Sequence, residues 1–299
     1  MIDMRLTRRQ LVVLVLLTLV WGVNWPVMKV GVSGLPSAPM AYPPLTFRAL
    51  SMLLGLPVLW LALRRLQVPL TIPRVHWAEV ARLTPPNMLV WHVVIIFGVQ
   101  ALSSGRSAIL AYTMPVFAAL VGAFVYGERL ALRQWLGVAA AGLGVMLLLS
   151  EEFTSLAGAP WAATAVVAAA AVWALGTHML RRSLVPVPLL AIVFWMTVAC
   201  TVVMALLCIV IESPHWRWPE PHVWAAVGFN AVLIFGFSQA AWLYLARTLP
   251  PVASSISVMM IPVLGVFSGA YFLGEKLHWQ DWAAVVLMVS AIALVLRGR

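Results

Sequence analysis

Ser107–Leu149, SAILAYTMPVFAALVGAFVYGERLALRQWLGVAAAGLGVMLLL, lies without a gap on Ser254–Leu296, SSISVMMIPVLGVFSGAYFLGEKLHWQDWAAVVLMVSAIALVL, after a shift of 147 positions. Pro115 falls on Pro262, Gly122 on Gly269, Gly127-Glu128 on Gly274-Glu275, and Trp135 on Trp282. The register continues upstream, where Trp77 meets Trp224 and His92 meets Gln239. Shared apolar composition does not explain a match carried by Pro, Gly, Glu and Trp. The chain reads as two copies of one unit, residues 1–150 and 151–299.

Composition names the solvent. Hydrophobic residues make up 63% of 299 positions and charged residues 9%, whereas soluble domains carry about a quarter charged residues. Apolar runs reach about 20 residues, enough to cross about 30 Å of hydrocarbon. The sequence predicts an all-α membrane protein with ten spans, near 10–31, 42–63, 78–99, 102–125, 131–149, 160–180, 187–211, 223–246, 251–273 and 279–297. With the N-terminus inside, only Lys29, Arg48, Arg106, Arg217 and Lys276 of the 19 basic residues fall on the outer side. The net charge of +10 is then a topological signal rather than a nucleic-acid footprint, and both termini are expected in the cytoplasm. The N-terminal apolar stretch lacks a small-x-small cleavage site and is read as an uncleaved first span. Cys200 and Cys208 would stand about 12 Å apart along one helix, too far for a disulfide.

Five spans per copy is an odd number, so the second copy enters the membrane from the opposite side. Such inverted repeats let carriers exchange inward-open and outward-open states. No hydrolytic, redox, metal-binding or phosphate-loop motif occurs, which excludes an ATP-driven pump and implies no cofactor. No Asp or Glu lies in the middle of a span. That argues against a cationic-drug antiporter, which needs a membrane-embedded counter-ion.

The fourth-span prolines, the Gly-Glu pairs that follow and the Trp-bearing span after them resemble EamA-type carriers of the drug/metabolite transporter superfamily. Trp21-Gly22-Val23-Asn24-Trp25-Pro26 followed by Lys29 is similar to that family's opening helix, with a fainter echo at Trp173 and Arg181. Within the family, aromatic content and length are most similar to YddG-type exporters of aromatic amino acids. The resemblance implies a multi-pass protein of the inner (plasma) membrane, a small-molecule substrate and export as the direction. A broad metabolite or drug exporter is the alternative within transport. A membrane enzyme on a lipid-like substrate, with His92 as base, is the alternative outside it.

Candidate cavity residues follow from polarity and spacing. Trp21, Asn24, Trp25 and Met28 share one helix face, which suits a ring-bearing ligand with a polar group, unless the tryptophans serve packing or an interfacial belt. His92 sits mid-span after Pro85-Pro86, which should free backbone carbonyls, and its repeat partner Gln239 is also polar. It is read as a hydrogen-bonding wall, the packing alternative being a histidine satisfied by a nearby carbonyl. Asn87, Trp91, Tyr112, Trp173, Trp195 and Trp242 complete the set. Gly265 and Gly269, with Ala118 and Gly122 in the other copy, are expected to form a close-packed seam between the fourth and ninth spans, homodimerisation being the alternative. A monomer is expected over a dimer. Glu128 and Glu275 are read as loop-fixing. Lys29 and Arg48 either attract a carboxylate or snorkel to headgroups, and the sequence leaves both readings open.

Overall fold

In a computed structural model, residues 7–35, 40–154, 158–248 and 251–296 are described. Arg5, Arg297 and Arg299, which entered the charge bias, lie outside them. Among the described residues, eight helices are long and apolar enough to span a bilayer. They are α1 (Arg8–Ser33), α2 (Pro44–Arg65), α3 (Arg74–Ala101), α4 (Ser104–Tyr126), α5 (Leu132–Thr154), α6 (Pro160–Arg181), α7 (Leu189–His215) and α8 (Pro221–Trp242). The shorter apolar stretches Met259–Leu273 and Trp279–Val295 belong to α9 (Pro251–Leu273) and α10 (Trp279–Leu296).

Local chemistry explains where these helices start and stop. α1 begins on a capping box in which Thr7 Oγ1 accepts from the Gln10 amide and Gln10 Oε1 accepts from the Thr7 amide. It ends at Gly34, whose φ of 78° an L side chain rarely adopts. Gly127 and Gly274 also end α4 and α9 at positive φ, 70° and 64°. The amide of the glutamate after each turns back, Glu128 onto the Gly122 carbonyl and Glu275 onto that of Gly269. α2 opens with proline at its first position, where the missing N–H costs nothing.

The helices pack in pairs that repeat with the two halves exchanged. α1 lies against α9 as α6 lies against α4, α1 against α8 as α6 against α3, and α2 against α8 as α7 against α3, while α5 pairs with α10. Large apolar side chains such as Phe124, Phe153, Tyr271, Phe272 and Val286 point outward. That is the surface a hydrocarbon solvent selects and water does not.

The two repeats depart from one another at their prolines. Near Pro115, α4 divides into Ser104–Ala111 and Met114–Tyr126, with buried Thr113 donating its hydroxyl to the Leu110 carbonyl. The equivalent Pro262 sits inside an unbroken helix. Pro85-Pro86 does not interrupt α3. The chain passes through a π-helical turn over Pro85–Leu89 and continues. The corresponding part of α8 is also π-helical, over Asn230–Ser238.

The expected small-residue seam needs correction in one half. An ideal Cβ at Gly265 would lie 2.6 Å from Ala108 Cβ and 3.1 Å from Trp25 Cδ1, so Gly265 lets α9 close on both α4 and α1. Ala118 and Gly122 do not face α9. The Ala118 carbonyl lies 2.8 Å from His178 Nε2 on α6, and a Cβ at Gly122 would meet the Glu128 carboxylate and the His178 ring. The cause is the break at Tyr112–Thr113: only the first segment of α4 runs along α9, and the second belongs to α6. Gly269 likewise faces Ser104 Oγ and the Glu275 carboxylate.

Candidate functional site

Two ends and an interior carry the polar groups. At the end where α4 begins, carboxylates sit on helix N-termini. Buried Glu212 accepts from the Leu45 and Thr46 amides at 2.9 and 2.7 Å and from Thr46 Oγ1 at 2.7 Å. Glu275 accepts from the Ser104 amide at 2.7 Å, from Ser104 Oγ at 2.9 Å and from the Gly105 amide at 3.3 Å. Unpaired N–H groups and the helix dipole favour an anion at each place. Lys29 answers the opposite pole, donating to the Gln100 and Leu102 carbonyls at 2.7 and 2.8 Å where α3 ends. These carbonyls hold it in place of headgroups. Arg106 forks onto Glu151, Glu152 and Asp281. At the other end Glu128 lies 3.3 Å from Arg182 with both side chains 46% exposed. A surface cleft of about 280 Å³ lined by Glu79, Arg82, Arg182 and Leu184 opens there, away from the interior groups.

The interior assembles some predicted residues and separates others. Trp25, buried on α1, meets Tyr112 edge-on at 6.4 Å between ring centroids. Tyr112 sits where α4 breaks, so the proline that divides the helix also places this ring. His92 on α3 lies 5.5 Å from the Phe235 ring on the π-helical part of α8. Its Nδ1 is buried without a hydrogen-bond partner, as is Asn24 Oδ1 on α1. The packing alternative, an imidazole satisfied by a neighbouring carbonyl, is not what Nδ1 displays.

Trp21 and Trp242 meet at 5.6 Å between ring centroids with the rings tilted by 42°, and Trp21 packs against Leu17, Ala241 and Leu245, toward the opposite end. Trp242 is 36% exposed and stands at a lipid-facing edge, as a belt residue would. Trp195 is further removed. Its indole donates to the Leu70 carbonyl at 2.7 Å and packs edge-on against Trp77. Asn87 turns inward on its own helix, donating to the Leu83 carbonyl at 2.9 Å beside the prolines. Trp91 packs against the main core cluster. Trp173 and Gln239 are both half-buried.

Sequence reasoning missed His178 and left Arg48 open between carboxylate binding and snorkelling. His178 is buried on α6, bonded to Ala118, 3.2 Å from Arg182 and stacked on Tyr126. Arg48 is 2% exposed deep in the protein. Only a polar residue inside an apolar run marked either of them, and that cue gives depth along a helix but not the face.

A helical membrane protein made of two like halves, with polar groups held between them and carboxylate caps at one end, has the build of a carrier. The chain belongs to the EamA-like transporter family, whose pattern matches it twice, over residues 9–150 and 160–297. It is 24% identical to the uncharacterized transporter YoaV of Bacillus subtilis, over 87% of each chain. It is 27% identical to the uncharacterized inner membrane transporter YedA of Escherichia coli, over 95% of this chain and 89% of that one. A protein of Escherichia coli named "probable amino-acid metabolite efflux pump" is 24% identical over 98% and 96%. A solved crystal structure superposes with a TM-score of 0.65 at 20% identity, covering 97% of this chain and 98% of that one. It shares the fold.

Proposed function

We propose that this protein is a secondary transporter exporting small amphipathic metabolites, amino acids with aromatic side chains foremost, by alternating access between two inverted five-helix halves. The observations that carry the reading are the edge-on Trp25–Tyr112 pair and two buried polar atoms without a hydrogen-bond partner among the described residues, Asn24 Oδ1 and His92 Nδ1. A buried polar atom left unpaired costs about 1–3 kcal/mol, so these atoms have a reason to be there when a ligand or water meets them. The efflux-pump name of one relative supports export, and the inner-membrane name of another supports that location. Alternating access draws its support from the exchanged pairing of helices between the halves.

The direct test is counterflow of labelled L-phenylalanine and L-tryptophan in proteoliposomes. Saturable exchange of unmodified substrate supports the carrier, and turnover to a product would overturn it in favour of an enzyme. His92→Gln copies the residue at the repeat-related position and keeps a hydrogen-bonding group, so it should retain most transport. His92→Leu should raise KM about tenfold, the worth of one buried hydrogen bond. Unchanged KM in His92→Leu removes His92 from the cavity wall. Orientation has its own check: a cysteine at Trp218, in the α7–α8 loop, should label in intact cells with a membrane-impermeant thiol reagent. One at Leu184, in the α6–α7 loop, should not. The reverse pattern inverts the topology.

A further inference from the structure

Of the cations within the spans near the Ser104 end, the protein answers two. Lys29 has two carbonyls and Arg106 three carboxylates. Arg48 has none: among the described residues no carboxylate lies within ion-pair distance, although the residue is 2% exposed. Its Nη1 is 3.4 Å from Asn230 Oδ1, its Nη2 2.8 Å from the Met28 thioether, and its Nε has no partner. A guanidinium offers five N–H donors, and a thioether is a weak acceptor. Most of the hydrogen-bonding capacity of this buried cation is therefore unmet.

The surroundings are organised around it. Asn230 donates its amide to the Ala226 carbonyl at 3.1 Å, which fixes its oxygen toward Arg48. Phe235 lies 6.0 Å from the guanidinium carbon and 5.5 Å from the His92 ring, measured to ring centroids. Asn24 stands one turn along α1 from Met28, on the same face. A charge inside a membrane protein is costly and marks function when the protein supplies no counter-charge. The missing partner is planar and anionic, because the fork of Arg matches a carboxylate bidentately. A lipid headgroup phosphate shares that chemistry, but the burial of Arg48 counts against a ligand held at the lipid surface.

We infer that Arg48 receives the carboxylate of a zwitterionic substrate whose ammonium group faces Asn24 Oδ1 and His92 Nδ1. This rests on the transport reading above and narrows it. Amines that lack the carboxylate are excluded, and aromatic acids that lack the ammonium bind through Arg48 alone.

The test is ligand-dependent thermal unfolding of the purified, detergent-solubilised full chain with four probes: L-phenylalanine, phenethylamine, 3-phenylpropionate and inorganic phosphate. L-phenylalanine should raise Tm in a saturable way, and phenethylamine should leave it unchanged. Arg48→Gln removes the unpaired charge, so it should melt no lower than the parent. It should also lose about 10- to 100-fold in affinity for L-phenylalanine, the range expected for a charge-assisted pair. Arg48→Lys retains the charge without the fork, and should fall between the two and show folding if the glutamine variant fails.

Phenethylamine matching L-phenylalanine overturns the inference, as does Arg48→Gln melting well below the parent while binding unchanged. So does stabilisation by phosphate alone, or by no probe at all. Saturation by 3-phenylpropionate without L-phenylalanine keeps the Arg48 anion site and defeats the amino-acid reading. Normal L-phenylalanine counterflow by Arg48→Gln does the opposite.

Discussion

Arg106→Ala is expected to destabilise the protein by about 3–5 kcal/mol, the cost of leaving a buried ion-pair partner uncompensated. Arg106 Nε donates to Asp281 Oδ1 at 2.9 Å, Nη2 reaches Glu151 at 2.7 Å, and Nη1 bonds Glu152. The arginine side chain is 12% exposed and the acids 5–15%. Solvent therefore screens this cluster far less than a surface pair. The acids also work elsewhere: Glu152 accepts from the Ala159 amide at 2.7 Å, and Asp281 from the His278 amide at 2.8 Å. Arg106 thus ties the start of α4 to the end of α5, the start of α6 and the start of α10. Alanine leaves three carboxylates facing one another with only the His278 imidazole beside them. Arg106→Lys keeps one charge but cannot bond three acids in a fork, and should lose about half as much. Thermal unfolding in detergent at one fixed pH reads both. An alanine variant melting within a degree of the parent would show that the cluster holds nothing together.

Much of this architecture was legible because backbone physics wrote it into residue types. Gly127 and Gly274 end helices because they adopt positive φ, and the 147-residue register is carried by such residues. Span positions follow from length and polarity, so the expected 131–149 and 160–180 lie within Leu132–Thr154 and Pro160–Arg181 to within one residue. The site was less legible for a physical reason. In water, amphipathic periodicity marks the buried face of a helix; in hydrocarbon both faces are apolar and the mark vanishes. Depth could be read for Trp195, Trp25 and Trp242, but rotation could not. Trp25 faces Tyr112, Trp195 faces Trp77, and Trp242 stands at an edge. Asn87 looked like a cavity amide and instead bonds its own helix next to two prolines. Arg48 was the reverse case, where snorkelling and ligand binding read alike until its side chain was seen to point inward without an acid.

The two glutamates that the repeat makes equivalent should behave unequally. Glu275 and Glu128 each follow a left-handed glycine and each lie against the glycine six residues before the glutamate, Gly269 and Gly122. Their partners differ. Glu275 caps α4, taking three hydrogen bonds from Ser104 and Gly105, and Ser104 is fully buried. Glu128 meets Arg182 at 3.3 Å with both side chains nearly half exposed. Charge-assisted caps of the first kind contribute about 2 kcal/mol, whereas an exposed pair contributes less than about 1 kcal/mol. Glu275→Ala should therefore lower Tm by several degrees and loosen the α4 end of the bundle, while Glu128→Ala should barely register. The loosening has a separate readout. A cysteine at Ser107, which is fully buried, should react slowly with a thiol reagent in the parent background and at least tenfold faster when combined with Glu275→Ala. Combined with Glu128→Ala the rate should stay at the parent level, because that residue caps nothing near Ser107. Equal effects of the two substitutions would mean that the Glu275 contacts close nothing, and that the difference between the two ends of the bundle has another origin.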